Sequence, residues 1–295
     1  PLRITGGLGS KKFGISAAEP VRSRELGYPQ GVRLPDPERV SNLIHEAALL
    51  EIVPRFRNLQ AGEVREKSPG EVVTAADDAM EERLADALLA LLPGSVLVGE
   101  ESASADAALF ELLLGDAPVW LVDPLDGTAN FAAGSPVFGT MVCLVHRGAT
   151  AAAWIHLPMT GQRLVAECGS GAWLDGRRLR IGPPAEPLRV LLGTKFFPSP
   201  LREQIEATRG LFDTHPSAHC AASTYTQLAT GGLDAALYYR LMPWDHAPGI
   251  LVHAEAGGYS ARLSGEPYSP LVRTGGLLVA PSPEEWSRMA GLFGV

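Results

Sequence analysis

The 295-residue sequence predicts a mixed fold, with an α+β part over residues 36–185 and an α/β part over residues 186–295. Three observations carry this prediction. Two amphipathic helices with clear start and stop signals come first. A run of apolar segments broken by glycine turns fills the middle. From about Val190 onward, short strands alternate with helical patterns. A chain of this length suits two intimately packed subdomains, and the soft boundary falls near Pro183 to Pro187.

Residues 1–35 are rich in glycine, proline and charge without periodicity, and they read as an N-terminal extension with no part in the chemistry. Order is expected from Asp36-Pro37-Glu38, an N-cap candidate with proline at the first helical position. Val40, Leu43, Ile44, Ala47 and Ala48 then recur at helical spacing, and Pro54 ends or kinks the helix. A second helix runs from about Thr74, with Met80, Leu84, Leu88, Leu91 and Leu92 on one face, until Pro93-Gly94 stops it. Strands are expected at 95–99 and 119–123. An antiparallel meander follows over 137–146, 149–156, 163–167 and 172–174. In the second part, strands at 190–193, 234–238 and 275–280 alternate with helices at 201–211, 221–229, 246–256 and 283–292.

Composition narrows the function. A formal net charge of -8 argues against a generic nucleic-acid partner, because a phosphate backbone needs a basic footprint. Anionic small molecules stay open to an acidic protein that supplies bound cations or aimed N–H groups. Three scattered cysteines, Cys143, Cys168 and Cys220, fit neither a disulfide framework nor a zinc site, and a reducing cytoplasm is the simplest expectation. No apolar run approaches the roughly 20 residues that span a bilayer, so no membrane partner is expected.

The chemistry concentrates in Trp120-Leu121-Val122-Asp123-Pro124-Leu125-Asp126-Gly127-Thr128. An apolar strand delivers two aspartates to a sheet edge, and Gly127-Thr128 then offers backbone N–H groups where a helix begins, a ready anion site. Taken alone, Asp-Gly is as readily a plain turn. Val98-Gly99-Glu100-Glu101 supplies a carboxylate from a second strand end, and Trp244-Asp245 sets another at a helix N-cap, with Pro248 in the first turn. Glu100, Asp123, Asp126 and Asp245, if they converge, repel one another or take up protons unless cations lie among them. An all-oxygen set points to magnesium, with manganese the alternative.

These segments resemble the inositol monophosphatase superfamily, the magnesium-dependent, lithium-sensitive phosphatases that include fructose-1,6-bisphosphatases and bisphosphate nucleotidases. Matching stretches run in family order: Lys67-Ser68-Pro69, Val73-Thr74-Ala75-Ala76-Asp77, Gly99-Glu100-Glu101-Ser102, Asp123 to Thr128, Gly169-Ser170-Gly171-Ala172, and Trp244-Asp245 through Gly258. The resemblance implies a layered αβαβα sugar-phosphatase fold, a homodimer, and two or three magnesium ions on Glu100, Asp123, Asp126, Asp245 and the Leu125 carbonyl. It also implies catalytic roles for Glu100 and for a hydrogen-bonded Asp77–Thr128 pair beside the attacking water. Its substrate would be a small phosphorylated polyol, with inositol monophosphate first and adenosine 3',5'-bisphosphate, fructose 1,6-bisphosphate or histidinol phosphate as alternatives.

By the same resemblance, Asp126, Gly127, Thr128, His219, Ala221, Tyr238, Arg240 and Asp245 would face the substrate. Here the chain departs from the inositol-specific pattern. Tyr238 stands where those relatives carry glutamate, and His219-Cys220-Ala221-Ala222 replaces a Gly-Thr-Ala-Ala segment. Lys67 lies one residue closer to Asp77 than is common, and His246 reads as a packing or capping residue. Haloacid dehalogenase phosphatases also use an Asp-Gly-Thr run, but they need an aspartate where Pro124 stands. A regulatory binding protein on the same fold is the alternative outside enzymology.

Overall fold

The computed structural model describes residues 34–295, so all but the last two residues of the expected extension lie outside the described residues. Helix α1 (Pro37–Glu51) begins as its sequence signals require: the Asp36 carboxylate accepts from the Glu38 N–H at 3.0 Å, and proline occupies the first turn. A hairpin of β1 (Val64–Ser68) and β2 (Glu71–Thr74) leads straight into α2 (Ala75–Leu91), which Thr74 and Asp77 open with a reciprocal capping box. Strand β3 (Val96–Gly99) gives way to the short α3 (Glu100–Ala105), and β4 (Val119–Asp126) to the five-residue α4 (Thr128–Ala132).

The expected meander is present as β5 (Gly139–His146), β6 (Ala149–Leu157), β7 (Gln162–Glu167) and β8 (Gly171–Leu174), extended by β9 (Arg177–Arg178). The second half adds β10 (Arg189–Leu192), α5 (Ser199–Ala207), β11 (Asp213–His215), α6 (Ala221–Thr230), β12 (Ala235–Tyr238), α7 (Pro243–Glu255), β13 (Tyr259–Arg262), β14 (Leu277–Ala280) and α8 (Pro283–Phe293).

Five layers result. Helices α1 and α2 pack Val40, Ile44, Met80, Leu84 and Leu88 against Trp120, Val122, Leu144 and Trp154 on one face of a seven-stranded sheet ordered β3-β4-β5-β6-β7-β8-β9. The opposite face, with Leu121, Met141, Cys143 and Ile155, receives α6 and α7. Those helices also meet Leu191, Ala236, Leu277 and Val279 of a five-stranded sheet ordered β11-β10-β12-β14-β13. Its far face, with Val190, Leu192, Leu237 and Leu278, is closed by Ile205 of α5 and Met289 and Phe293 of α8. Neighbouring residues such as Val190 and Leu191 thus enter different cores, which explains why these strands read as unbroken apolar runs. The layered αβαβα arrangement is the one the family resemblance implies.

The second sheet is mixed: β12–β14 and β13–β14 pair antiparallel while β10–β11 and β10–β12 run parallel. One local expectation needs correction. Helix α7 starts at Pro243, which places Asp245 inside the first turn and leaves the N-cap to Met242. Pro248 consequently sits in the helix interior, where its missing N–H forgoes one bond to the preceding turn.

Candidate metal centre and active site

Strand β4 explains how two aspartates three residues apart come to act together. On a regular strand that spacing sends side chains to opposite faces. The β4–β5 register shifts between Asp123, opposite Met141, and Asp126, opposite Gly139, so one extra residue bulges out. Pro124 and Leu125 form the bulge, and Pro124 has no N–H to lose. The Thr140 hydroxyl donates to the Pro124 carbonyl at 3.0 Å, and the Leu125 N–H donates to the Asp123 carboxylate at 3.1 Å. Both aspartates are thereby turned to the same end of the sheet.

Glu100 arrives on α3, whose first N–H groups are satisfied by a buried carboxylate: Glu81 accepts from Glu101 N at 2.9 Å and from Ser102 N at 2.8 Å. A Cβ on Gly99 would overlap the Glu81 carboxylate, which could keep both bonds only by moving. Asp245 descends from α7. Carboxylate oxygens of Glu100, Asp123 and Asp245 lie within 4.8 Å of one another, the one such acidic grouping among the described residues. Asp126 sits beside them with one oxygen engaged by the Ala222 N–H at 2.7 Å and by the Cys220 thiol at 2.9 Å. The close approach of α6 depends on Gly139, since a Cβ there would stand 2.7 Å from Ala222 Cβ.

The electrostatics are those of a site that wants a cation. Burial, then the charges of Glu100, Asp126 and Asp245, push the Asp123 carboxyl well above its ordinary range. Burial followed by Glu100 and Asp126 does the same to Asp245. Burial also raises Asp126 against the bonds from Cys220 and Ala222, and burial and Glu100 bring Glu101 up to about 7. One cation reaches in. Lys67 Nζ lies 2.6 Å from Glu100 and 2.8 Å from Glu101, and although burial opposes its charge, these two carboxylates raise its pKa. One ammonium cannot balance five neighbouring carboxylates, and the donors are all oxygen, so the set fits a hard divalent ion such as magnesium.

Asp77 and Thr128 meet as expected. The Thr128 hydroxyl stands 2.8 Å from Asp77 Oδ1 and 2.9 Å from the Leu125 carbonyl oxygen, with a single proton to give. The other Asp77 oxygen accepts from the Thr74 N–H at 2.8 Å and the Thr74 hydroxyl at 2.6 Å. Burial outweighs these bonds, and the carboxyl is pushed up to about 6. Gly127 holds the left-handed conformation before α4, where a Cβ would stand 3.0 Å from the Val137 carbonyl.

A cavity of about 650 Å³ opens over this centre. Asp126, Gly127, Thr128, His219, Ala221, Tyr238, Arg240 and Asp245, all expected at the substrate, line it together with Lys67 and Glu100. His219 is exposed with positive φ, and Arg240 reaches back to Glu71 on the β1–β2 hairpin at 3.1 Å. His246 is no ligand: its ring lies between the Tyr225 hydroxyl at 2.9 Å and the Arg240 carbonyl at 3.1 Å, which pins the loop before α7. The Gly169-Ser170-Gly171 turn lies off the cavity, and Glu255 accepts its Gly169 and Gly171 N–H groups. Sequence reasoning missed Glu81, Cys220 and Lys195. The first two act through partners far along the chain, and Lys195 carries no motif.

Comparison with known proteins agrees with this geometry. The family model described as the inositol monophosphatase family matches residues 38–293. A putative Nus factor SuhB of Neisseria meningitidis is 32% identical over 219 residues, covering 71% of this chain and 80% of its own length. Inositol monophosphatase 2 of Solanum lycopersicum is 29% identical over 221 residues, covering 71% and 82%. Among solved structures, an IMPase of Thermotoga maritima superposes with a TM-score of 0.72 at 23% identity, over 87% of this chain and 96% of that one. A partly buried oxygen-donor cluster at a bulged strand end, five alternating layers and a match along nearly the whole described chain lead to one conclusion: this protein belongs to the inositol monophosphatase family.

Proposed function

We propose that the chain is a magnesium-dependent phosphomonoesterase that hydrolyses a small phosphorylated polyol by attack of water, with inositol 1-phosphate as the first ester to test. The convergence of Glu100, Asp123 and Asp245 within 4.8 Å carries this reading. A scaffold gains nothing from burying carboxylates that repel one another, whereas phosphate-ester hydrolysis needs positive charge held at one point.

Glu100, Asp123 and Asp245 would hold the ions, joined by Asp126 and the Leu125 carbonyl. Bound magnesium supplies an acidified water and shields the negative charge of the ester. The protein's own groups then handle the proton. With the Leu125 carbonyl engaged elsewhere, the Thr128 hydroxyl turns to Asp77, and its oxygen is free to accept a hydrogen bond from the attacking water. Asp77, with a carboxyl near 6, is suited to hold the released proton at neutral pH. Lys67 steadies Glu100, and the N–H groups opening α4 face the ester oxygens, although a helix of five residues adds little dipole.

The experiment is phosphate release from a panel of inositol 1-phosphate, histidinol phosphate, fructose 1,6-bisphosphate and adenosine 3',5'-bisphosphate across a magnesium titration. Acid-quenched turnover should trap no phosphoprotein, because the nucleophile is water; a phosphoaspartate would overturn the mechanism. A second reading, a regulatory binding role, draws on the name Nus factor carried by the Neisseria relative. Absence of phosphate release from the whole panel would favour it. No helix among the described residues is long and apolar enough to cross a membrane.

A further inference from the structure

Helix α3 brings Glu100 to the metal centre, yet little in that helix holds it there. It has six residues, too few to be stable alone, and Ala103 is the one side chain it buries. Glu100 is its first residue, and the Asp123 and Asp245 carboxylates grouped with it within 4.8 Å repel it. Lys67 offsets part of that repulsion, but it rides on the polar, mostly exposed strand β1.

The firmer tie comes from α2. Glu81 is only 8% exposed, and each of its carboxylate oxygens takes one N–H at the entry to α3, Oε2 from Glu101 at 2.9 Å and Oε1 from Ser102 at 2.8 Å. These N–H groups have no partner inside a helix, so a carboxylate aimed at both fixes the direction in which the helix starts. Glu81 itself is well anchored. Its helix has 17 residues and packs on the seven-stranded sheet through Met80, Leu84 and Leu88. Asp77 lies one turn earlier on the same face of α2. One helix therefore carries the carboxylate suited to hold the released proton and, one turn on, the carboxylate that ties down the segment bearing Glu100.

We infer that Glu81 is a positioning residue: it sets the entry of α3 so that Glu100 meets Asp123 and Asp245, and it holds that group in register with Asp77. This rests on the reading of Glu100 as a metal ligand. Gly99 offers an independent handle on the same contact. Its φ of -93° and ψ of 162° suit alanine, but an alanine Cβ would overlap the Glu81 carboxylate. Gly99→Ala should therefore push the carboxylate off α3 without removing its charge.

Calorimetric titration of magnesium into the protein tests the assignment without any ester. Glu81→Ala should weaken magnesium binding by about tenfold or more, and Gly99→Ala by a comparable factor. The combined variant should lose no more than the larger single loss, because both changes act through one contact. Glu81→Gln keeps one acceptor oxygen and should fall between wild type and Glu81→Ala. Leu84→Ala loosens the same helix through its core face, so it should lower Tm and leave magnesium affinity within about twofold of wild type.

Magnesium affinity in Glu81→Ala that is unchanged, or lowered no more than in Leu84→Ala, overturns the assignment, as do losses that add in the combined variant. If Glu81→Ala does not melt cooperatively in chelator, Glu81→Gln and Gly99→Ala decide in its place: weaker binding in both supports the role, and wild-type affinity in either removes it. Failure of the metal reading looks different, because wild type would then bind no magnesium, and the assignment falls with it.

Discussion

Replacing Asp77 by asparagine should make the metal-free protein more stable and the enzyme inactive. Asparagine can keep every bond at this position. Its Oδ1 accepts from the Thr74 N–H and hydroxyl as one carboxylate oxygen does now, and its Nδ2 donates to Thr128, which gives its proton to the Leu125 carbonyl. What disappears is a buried negative charge. Burial, only partly offset by the bonds from Thr74 and Thr128, carries the Asp77 carboxyl from 3.8 to about 6, so at neutral pH the ionised side chain costs the folded state about 3 kcal/mol. A folded-state value above the unfolded one means that stability is present below pH 3.8 and is lost as pH rises through about 6. Asp77→Asn escapes that loss. Its advantage should be near zero at about pH 4 and complete by about pH 7, where it amounts to roughly 5 °C in Tm for a chain of this size. Calorimetry in chelator across that range measures it. Meanwhile kcat should fall by about two orders of magnitude or more, because the asparagine amide donates to the Thr128 oxygen that the attacking water needs and cannot take the proton. A variant less stable than wild type at pH 7, or an advantage that does not vary with pH, would refute this account of Asp77.

Further outcomes follow from the same structure. The Tm gain from excess magnesium should be larger at about pH 8 than at about pH 6, because Glu101 titrates near 7 and Asp123 is raised by burial and by Glu100; paired melts with and without metal at each pH check this. Gly249→Ala should lose about 1–3 kcal/mol by chemical denaturation, since a Cβ there overlaps the buried Tyr225 ring. Leu84→Ala, at a fully buried position between α1, α2 and the seven-stranded sheet, should lose about 2–5 kcal/mol in the same measurement without changing KM.

Much of this was legible in the sequence where a local rule decides the structure. Asp36-Pro37 and Thr74-x-x-Asp77 are capping patterns, and they set the starts of α1 and α2. The two-faced burial of strands such as 190–192 shows as a continuous apolar run. The Asp-Pro-Leu-Asp spacing located the site, but the reason both carboxylates face one way, a bulge at Pro124 and Leu125, depends on the partner strand. The hairpin of β1 and β2 was not anticipated because Val64–Ser68 is polar and mostly exposed, and β13 and α3 are too short to show a period. Asp245 stands three residues further into its helix than the N-cap expected of it, because Pro243, the stronger start signal, opens α7. Contacts such as Cys220 with Asp126 or Lys67 with Glu100 join residues 94 and 33 positions apart, and nothing local announces them.

The central claim is that Glu100, Asp123 and Asp245 converge in order to hold a catalytic cation. Phosphate release by wild type, Asp123→Asn and Asp245→Asn across a magnesium titration tests it most directly. Wild type should hydrolyse at least one ester in a saturable, magnesium-dependent way, and each variant should lose about two orders of magnitude or more while remaining folded. Hydrolysis that persists in chelator, or full activity in either variant, would contradict it.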